Sequence, residues 1–445
     1  MRVDTAARLL EAAGVSWVRF ELADIHGIAR SKSVPLAQFP HYAERGVAFY
    51  GGTLLQDPRG DDIPPLSPGQ PDCFLRPDLD TLAVLPHAHG EARVGGDLWT
   101  ADGRPAGADP RRVLRRVVEQ YARIGLVPRT GVEYEFYLLD ACSGVPVFPD
   151  SQVCATLRNN VRPGWRDEVL GALSRLGVAV SAFAAENAPG QFEITFAPGN
   201  GVEAADQAFI FRTTVKEISA RHGLIAPFMS KPFADAAGSG CHLHHSLLDV
   251  HTGTNRFAGE SREDLAPLGR HFIGGLLAHA RALCALLAPT PNDYKRYRPD
   301  SFAPVAATWG VDDRGAAVRV LTPASGATRV ENRLAGAAAN PYIAVAASLA
   351  AGLLGIRDAS DLPAETTDGD CPPAPALPTS LEEALDAFEG DAELRALLGE
   401  DFTRTYTLVK RNDVARARAA CPDYGSDDWS VRVDNWERRE YGELI

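Results

Sequence analysis

Two glutamates stand two residues apart in the segment Gly131-Val-Glu-Tyr-Glu-Phe-Tyr-Leu138, whose apolar and aromatic residues are typical of a β-strand. Side chains at positions i and i+2 of a strand point to one face, so Glu133 and Glu135 lie together and the opposite face is apolar. Such a pair can bind a cation or move protons. Burial statistics leave a second interpretation open, a solvent-facing strand whose acids have no chemical role.

Two further carboxylates bracket a Pro-Gly turn in Glu186-Asn-Ala-Pro-Gly-Gln-Phe-Glu193. Glu193 lies on a strand that we predict over residues 191–196, and Glu186 precedes the turn. A solvated turn would contain the same residues. The segment therefore adds two candidate ligands, and their role depends on where the rest of the chain brings them.

A pair of histidines follows a glycine loop in Gly238-Ser-Gly-Cys-His-Leu-His-His-Ser246. His242 and His244 share one face of the strand predicted over residues 241–247. The glycines before them let the backbone come close to a ligand. A lone histidine is more often structural, but two histidines at this spacing behind Gly-Ser-Gly favour a functional site.

Arginines accompany a fifth carboxylate in Arg329-Val-Glu-Asn-Arg333, where Arg329, Glu331 and Arg333 share one strand face. Three more arginines lie upstream, namely Arg296, Arg314 and Arg319. Guanidinium groups carry a permanent charge and donate paired hydrogen bonds, which are the properties that phosphate binding needs. A charged strand on the protein surface could have the same pattern.

The common feature of these segments is a strand with charge on one face and apolar residues on the other. Five carboxylates could converge with His242 in this way: Glu133, Glu135, Glu186, Glu193 and Glu331. Each like-charge pair at about 4 Å repels by roughly 4 kcal/mol at an effective dielectric of about 20. The cluster would stay ionised only around cations, and oxygen donors with one imidazole suit Mg²⁺ or Mn²⁺. Divalent ions beside arginines are recurring components of phosphoryl transfer.

The elements that must position these residues form an α+β pattern in two domains. We predict a small α+β domain over residues 1–104, and the polar composition of residues 100–110 indicates a linker. Residues 105–445 contain further strands and helices, among them one long helix over residues 265–287. The longest apolar stretch, residues 342–356, is too short to cross a bilayer and predicts a buried helix.

Composition and charge exclude several classes of partner. With 45% hydrophobic and 23% charged residues, the chain has the composition of a soluble globular protein. A net charge of −13 argues against nucleic acid or an anionic membrane as partner. Seven cysteines, without the spacing of a zinc ribbon or redox motif, indicate a reduced, cytoplasmic setting. The N-terminal residues carry no apolar run, so we expect no signal peptide.

Six segments, taken in order along the chain, resemble those of the glutamine synthetase family. They are Gly131-Val-Glu-Tyr-Glu-Phe136, Pro189-Gly-Gln-Phe-Glu193, Gly238-Ser-Gly-Cys-His-Leu-His244, Asn292-Asp-Tyr-Lys-Arg296, Arg329-Val-Glu-Asn-Arg333 with Asn340-Pro-Tyr342, and Asp434-Asn-Trp-Glu-Arg438. The resemblance implies a small N-terminal β-grasp-like domain and a larger catalytic α+β domain built on an antiparallel sheet. It also implies a ring-shaped homo-oligomer, such as a dodecamer, with active sites between subunits.

The resemblance implies roles as well, with ATP as co-substrate and two to three Mg²⁺ (or Mn²⁺) ions per site. The first ion, facing the carboxylate substrate, would be bound by Glu135, Glu186 and Glu193. The second, facing the nucleotide, would be bound by Glu133, His242 and Glu331. ATP would contact His244, Ser246, Arg314, Arg319 and Arg329. Glutamate would contact Gly238 and Arg296 at its α-carboxylate and Arg333 at its γ-carboxylate. The residues expected to act in catalysis are Arg314, Glu331 and Arg333.

The implied reaction is that of a carbon–nitrogen ligase, in which ATP converts a carboxylate to an acyl phosphate and an amine attacks it. Two departures from the family pattern concern the amine. Ammonia-using members have acids where this chain has Tyr50, in Phe49-Tyr-Gly-Gly-Thr53, and Phe302, six residues after Arg296. Ammonium needs acidic ligands, whereas aromatic rings offer an apolar or cation–π surface. We therefore predict an organic amine, such as an alkyl, hydroxyalkyl or aromatic amine, as the acceptor.

Three alternatives remain at this point. A shifted loop alignment would restore a true glutamine synthetase that uses ammonium. A relative that kept the fold as a structural or regulatory protein should have lost metal ligands, whereas all six candidates are present. A dinuclear metal hydrolase would use the carboxylates and the histidine but would not need the five arginines.

Overall fold

Two main β-sheets and the helices that cover them form the protein, seen in a computed structural model that describes residues 1–66, 68–259, 265–299, 301–323, 327–367 and 373–445. The strands are β1 (Trp17–Ala23), β2 (Ala29–Pro35), β3 (Val47–Phe49), β4 (Cys73–Pro77), β5 (Ala83–Val84), β6 (Glu91–Trp99), β7 (Leu126–Tyr137), β8 (Leu139–Asp140), β9 (Val180–Ala185), β10 (Gln191–Phe196), β11 (Gly199–Asn200), β12 (Leu224–Ile225), β13 (Cys241–Asp249), β14 (Trp309–Val311), β15 (Val318–Leu321) and β16 (Arg329–Asn332).

The helices range from one turn to more than five turns in length. They are α1 (Val3–Ala12), α2 (Phe39–Arg45), α3 (Pro110–Arg123), α4 (Thr156–Asn159), α5 (Pro163–Arg175), α6 (Glu203–Arg221), α7 (Pro267–Ala278), α8 (Ala280–Leu287), α9 (Pro341–Arg357), α10 (Leu381–Gly390), α11 (Ala392–Leu398), α12 (Glu400–Ala420), α13 (Asp427–Val431) and α14 (Asn435–Tyr441).

The N-terminal sheet has the strand order β2-β1-β6-β4-β3, with β5 paired to β6. β1 pairs antiparallel with β2 and parallel with β6, which makes the sheet mixed. Alternate residues of these strands, such as Phe20 and Val94, are buried against Leu10 of α1 and Phe39 of α2. Every strand of this sheet lies before residue 104, and the division of the chain into domains at that point stays a prediction.

The larger sheet has the order β14-β15-β16-β13-β7-β10-β9, with β11 paired to β7. Its central neighbours are antiparallel, as predicted, while β14 and β15 at one edge run parallel. One face of β7 buries Val132, Tyr134 and Phe136 in the main core. The opposite face therefore presents the charged residues that alternate with them.

α9 is the predicted buried helix, and the structure confirms it. Every residue from Pro341 to Gly352 is buried. The Asn340 side chain caps the helix by accepting the backbone N–H of Tyr342 at 3.0 Å. α7 packs so closely that a Cβ on Gly275 would lie 2.1 Å from the carbonyl oxygen of Ala351. No helix within the described ranges combines the length and apolar character needed to span a membrane.

The single long helix predicted over residues 265–287 is wrong, because the structure has two helices, α7 and α8. His279 separates them with a backbone conformation (φ −100°, ψ 7°) outside the helical region. Its Nδ1 lies 2.6 Å from Oδ2 of Asp391, at the start of α11. Because this contact joins distant parts of the chain while the apolar pattern continues through the break, periodicity alone could not locate it.

Candidate active site

Sheet register brings the predicted charged residues onto one face of the larger sheet. Glu133 on β7 lies opposite His242 on β13, and Glu135 lies opposite Glu193 on β10. The same face continues through β13 to Glu331 on β16. Directly opposed residues of paired strands point to the same side, so segments far apart in sequence meet on one surface.

Glu133, His242 and Glu331 form a compact group with the donor atoms of a metal site. One ligand atom from each lies within 4.8 Å of the others. His242 Nδ1 is 2.9 Å from Oε1 of Glu133 and 3.6 Å from Oε1 of Glu331. Although burial acts in the opposite direction, the charges of His242 and Arg333 lower the pKa of Glu331, so its carboxylate is ionised at neutral pH. Two carboxylates and one imidazole suit Mg²⁺ or Mn²⁺.

The other three predicted metal ligands, Glu135, Glu186 and Glu193, lie close enough together to repel one another. Burial and the carboxylates of Glu135 and Glu133 raise the pKa of Glu186 to about 7. The same causes, together with Glu186, raise the pKa of Glu193 to about 9. Oε2 of Glu135 accepts the backbone N–H of Gly240 at 2.8 Å. A cation among these carboxylates would relieve the repulsion, and metal binding by this group stays a prediction.

We expect the affinity of the chelator-treated protein for Mn²⁺ to increase from pH 6 to pH 9. The pKa values of Glu186 (about 7) and Glu193 (about 9) lie above the ordinary glutamate value, so both groups carry protons on the acidic side of this window. Metal binding must displace those protons, about one to two per site at pH 7. Calorimetric titration in buffers of different ionisation enthalpy measures the number released.

Glu193→Gln is the matched variant for this titration, because it removes the group with the higher pKa. It should reduce the proton release, whereas Glu393→Gln on the surface of α11 should leave it unchanged. Mn²⁺ affinity that stays constant from pH 6 to pH 9 would contradict the assignment of these carboxylates as ligands.

Three of the predicted arginines lie close to Glu331 or His244. Arg319 and Arg329 were predicted to bind ATP, and Arg333 was predicted to bind glutamate. Nη1 of Arg319 is 3.2 Å from Oε2 of Glu331, and Nη1 of Arg333 is 2.5 Å from Oε1. At the other end of β16, Nε of Arg329 donates to Nδ1 of His244 at 3.4 Å. Permanent positive charges therefore border the compact metal-type group, where they could bind phosphate oxygens.

Among the described residues, Arg314 forms no ion pair with the compact group, whereas Arg319 and Arg333 both pair with Glu331. It is exposed in the loop between β14 and β15. Its charge opposes the increase in the pKa of Glu186, which indicates that the two side chains are near each other. A role for Arg314 at the ATP phosphates stays a prediction.

Arg296 is buried behind the glycine loop and keeps one donor available. Its Nη1 has no hydrogen-bond partner in the part of the chain that the structure describes, while Nη2 donates to the Arg333 carbonyl at 3.4 Å. A Cβ on Gly238 would lie 2.8 Å from Cγ of Arg296. A Cβ on Gly240 would lie 2.7 Å from Nε2 of His242. A side chain at either position would displace Arg296 or His242, so these glycines leave room for functional side chains as well as for the predicted close approach of a ligand.

A cavity of about 620 Å³, here called the large cleft, opens beside the compact group. Predicted residues that line it are Glu133, His244, Ser246 and Arg329. Lining residues that the sequence analysis missed include Arg129, Phe196, Pro198, Leu248 and Asn255. This combination of apolar surface with cations is suited to a nucleotide. Arg129 and Leu248 lie on the strand faces of Glu133 and Ser246, so alternation along β7 and β13 could have found them. Pro198 and Asn255 lie in loops, where no spacing rule applies.

The two predicted acceptor residues lie in different places. Phe302 lines a smaller pocket, here called the inner pocket, together with Arg296 and Arg333. Its side chain is 65% exposed, and its carbonyl accepts Nη2 of Arg333 at 3.2 Å. Tyr50 lines neither the large cleft nor the inner pocket, and its hydroxyl donates to Asp62 at 2.6 Å. The chain by itself therefore does not bring the two rings together.

Comparison with known proteins finds similarity in sequence over most of the chain. Residues 107–428 match the family model described as glutamine synthetase, catalytic domain. Lengsin of Canis lupus familiaris is 35% identical over 415 residues, which are 90% of this chain and 71% of lengsin. The glutamate–isopropylamine ligase of a Pseudomonas species is 31% identical over 458 residues, covering 98% of this chain and 97% of the ligase. The glutamine synthetase of Thermotoga maritima is 33% identical over 466 residues, covering 99% of each.

The fold is similar over the same length. A solved structure of a GmaS/ADP complex superimposes with a TM-score of 0.84 at 30% identity and covers 98% of each chain. This similarity confirms the predicted α+β fold with sheet-based domains.

Proposed function

The chain belongs to the glutamine synthetase family, and we propose that it joins the γ-carboxylate of glutamate to an organic amine, with ATP as co-substrate and γ-glutamyl phosphate as the intermediate. The observation that carries the proposal is the compact group of Glu133, His242 and Glu331, bordered by Arg319 and Arg333. Glu133 lines the large cleft and His242 lines the inner pocket, so the group adjoins both. A phosphoryl group that passes from ATP to glutamate would have to pass beside it.

The chemistry explains why such a site is needed. A carboxylate is a poor electrophile, so its oxygen first attacks the γ-phosphorus of ATP and ADP leaves. The nitrogen of the neutral amine then attacks the acyl carbon, phosphate leaves with the oxygen that joined it to glutamate, and the nitrogen loses one proton to solvent. Mg²⁺ or Mn²⁺ bound by the proposed ligands would neutralise phosphate oxygens during both steps.

The side chains of this protein support each stage of that reaction. We propose that Arg296 binds the α-carboxylate through Nη1, which has no hydrogen-bond partner among the described residues, and that Arg333 binds the γ-carboxylate. Arg333 is already oriented by Glu331 and by the Phe302 carbonyl. Fixed donors of this kind stabilise developing charge without reorganising during the reaction. Arg319, together with Arg314 and Arg329, would bind the ATP phosphates.

The acceptor site supports an organic amine. Phe302 offers an exposed ring at the inner pocket, and Tyr50 is the second aromatic replacement. Because Tyr50 lies apart from that pocket in its own chain, we propose that a ring-shaped homo-oligomer brings the Tyr50 loop of a neighbouring subunit to it. Asp62, hydrogen-bonded to Tyr50, would then attract the positive charge of a protonated amine. Sequence identity does not distinguish between the two kinds of acceptor, since this chain is similarly related to an isopropylamine ligase and to a glutamine synthetase.

An ADP-release assay with ATP, Mg²⁺, glutamate and one amine at a time tests the proposed acceptor. We expect kcat/KM for the best of isopropylamine, ethanolamine and aniline to exceed that for ammonium by at least about tenfold, the discrimination that one or two apolar contacts provide. Phe302→Glu should shift this preference towards ammonium. Val305→Glu, at an exposed position three residues away, is the matched control and should not shift it.

Two outcomes of this assay would count against the proposal in different ways. Efficient use of ammonium, with no gain from any amine, would contradict the organic acceptor and restore a true glutamine synthetase. Absence of ATP-dependent turnover with every amine would contradict the ligase itself and favour a structural or regulatory relative.

A further inference from the structure

A second large cavity has a volume of about 840 Å³. Among the residues that the structure describes, it shares none of its lining with the large cleft or the inner pocket. Its walls come from α6, from the residues at and after the end of α14, from the turn between β1 and β2, and from the residues around β12. Its size is within the range of sites that bind small molecules. The proposed ligase reaction uses none of these residues.

Cationic side chains predominate around this cavity. Five of them line it: Arg59, Arg212, Lys216, Arg438 and Arg439. The lining includes two glutamates, and one of these, Glu217, already pairs with Arg19 and His87. Within the described ranges, the three arginines outside α6 form no ion pair with a carboxylate. A positive cavity in a chain with a net charge of −13 is suited to an anion.

Arg212 shows that hydrogen-bonding capacity remains unused here. Its side chain is 3% exposed, and its Nη1 donates to the carbonyl of Ala339 at 3.0 Å. Nε and Nη2 have no hydrogen-bond partner among the described residues. Buried N–H groups normally have partners, and those of a charged group are costly to leave without one.

Lys216 lies one helical turn after Arg212 on α6, on the same side of the helix. Its Nζ donates to the backbone carbonyls of Glu443 and Ile445 at 2.7 and 2.8 Å. Burial and the charge of Arg212 lower the pKa of Lys216, so the two cations disfavour each other. A negative charge between them would remove that repulsion.

The rest of the lining is apolar and includes Ile28, Leu139, Ile225, Met229, Phe233 and Leu444. We propose that this cavity binds a small organic carboxylate, with its charged group among Arg212, Lys216 and Arg438 and its apolar body against these side chains. Inorganic phosphate would satisfy the cations but would leave the apolar wall uncovered, so a carboxylate with a hydrocarbon body fits better.

The test is ¹⁹F NMR of 4-fluorobenzoate with the full chain, recorded with and without excess glutamate. We expect binding that glutamate does not displace. The double variant Lys216→Gln/Arg438→Gln should weaken the binding of 4-fluorobenzoate by about tenfold or more, since hydrogen bonds to charged groups are stronger than those between neutral groups. The matched control Arg175→Gln/Arg270→Gln removes two exposed arginines from α5 and α7 and should leave binding unchanged. Circular dichroism and thermal unfolding verify that each variant is folded.

If the Lys216 variant does not fold, Arg438→Gln/Arg439→Gln on the exposed side of α14 replaces it, with the same expected loss. Three results would overturn the proposal. The first is that 4-fluorobenzoate does not bind the unmodified chain. The second is that glutamate displaces 4-fluorobenzoate while the cavity variants do not change its binding. The third is that inorganic phosphate binds the cavity and 4-fluorobenzoate does not. Because none of these readouts depends on turnover, failure here is distinguishable from failure of the proposed ligase function.

Discussion

Glu331→Gln is expected to lower kcat/KM by at least about a hundredfold, because the carboxylate serves a proposed metal ion and two arginines at once. Its Oε2 lies 3.2 Å from Nη1 of Arg319. Its Oε1 lies 2.5 Å from Nη1 of Arg333 and 3.6 Å from Nδ1 of His242. Glutamine keeps the shape of the side chain but removes the charge. Turnover would fall because the cation and the arginines lose their common anion.

Measurement of ADP release beside circular dichroism and thermal unfolding separates this effect from misfolding. The variant should keep the native spectrum, and its unfolding midpoint should change by only a few degrees. Glu393→Gln is the matched control, since Glu393 pairs with Arg357 on the surface. Activity of Glu331→Gln equal to that of the unmodified protein would remove the basis for the metal assignment.

Arg333→Lys is expected to reduce kcat/KM for glutamate by about a hundredfold or more, even though it keeps the positive charge. The guanidinium reaches two acceptors from separate nitrogens, Oε1 of Glu331 at 2.5 Å and the carbonyl of Phe302 at 3.2 Å. A lysine ammonium is a single point on a flexible chain and cannot occupy both positions while it binds a substrate carboxylate.

Steady-state kinetics with varied glutamate and saturating ATP measure this loss, and retained ADP binding shows that the large cleft is intact. Arg270→Lys on the exposed side of α7 makes the same chemical change away from both pockets and should have no effect. If Arg333→Lys kept the kinetics of the unmodified protein, Arg333 would have no part in binding the γ-carboxylate.

The common face of the site could be predicted from sequence because it depends on a local rule. Alternation along a strand fixes which side chains share a face, so Glu133 and Glu135 or His242 and His244 could be paired without a structure. The rule does not say which strands are neighbours. The family resemblance implied that Glu133, His242 and Glu331 bind one ion, but the strand order β16-β13-β7 that brings them together is seen only in the structure.

The elements that were missed depend on contacts between distant segments. β6 was not predicted, since Gly95 and Gly96 interrupt its pattern. In the folded chain, a Cβ on Gly96 would lie 2.1 Å from the carbonyl of Arg76, so the glycine is required by the neighbouring strand. The contact of His279 with Asp391 at the helix break is a second case. From the sequence alone, neither Gly96 nor His279 could be recognised as a residue that contacts a distant segment.

Transfer of a labelled oxygen tests the proposed reaction most directly. Glutamate labelled with ¹⁸O in its γ-carboxylate is incubated with ATP, Mg²⁺ and a mixture of amines, and the products are weighed by mass spectrometry. Ligation through an acyl phosphate predicts a γ-glutamylamide that retains one label and inorganic phosphate that carries the other. Phosphate that carries no label, or amide formation without ATP, would contradict the account.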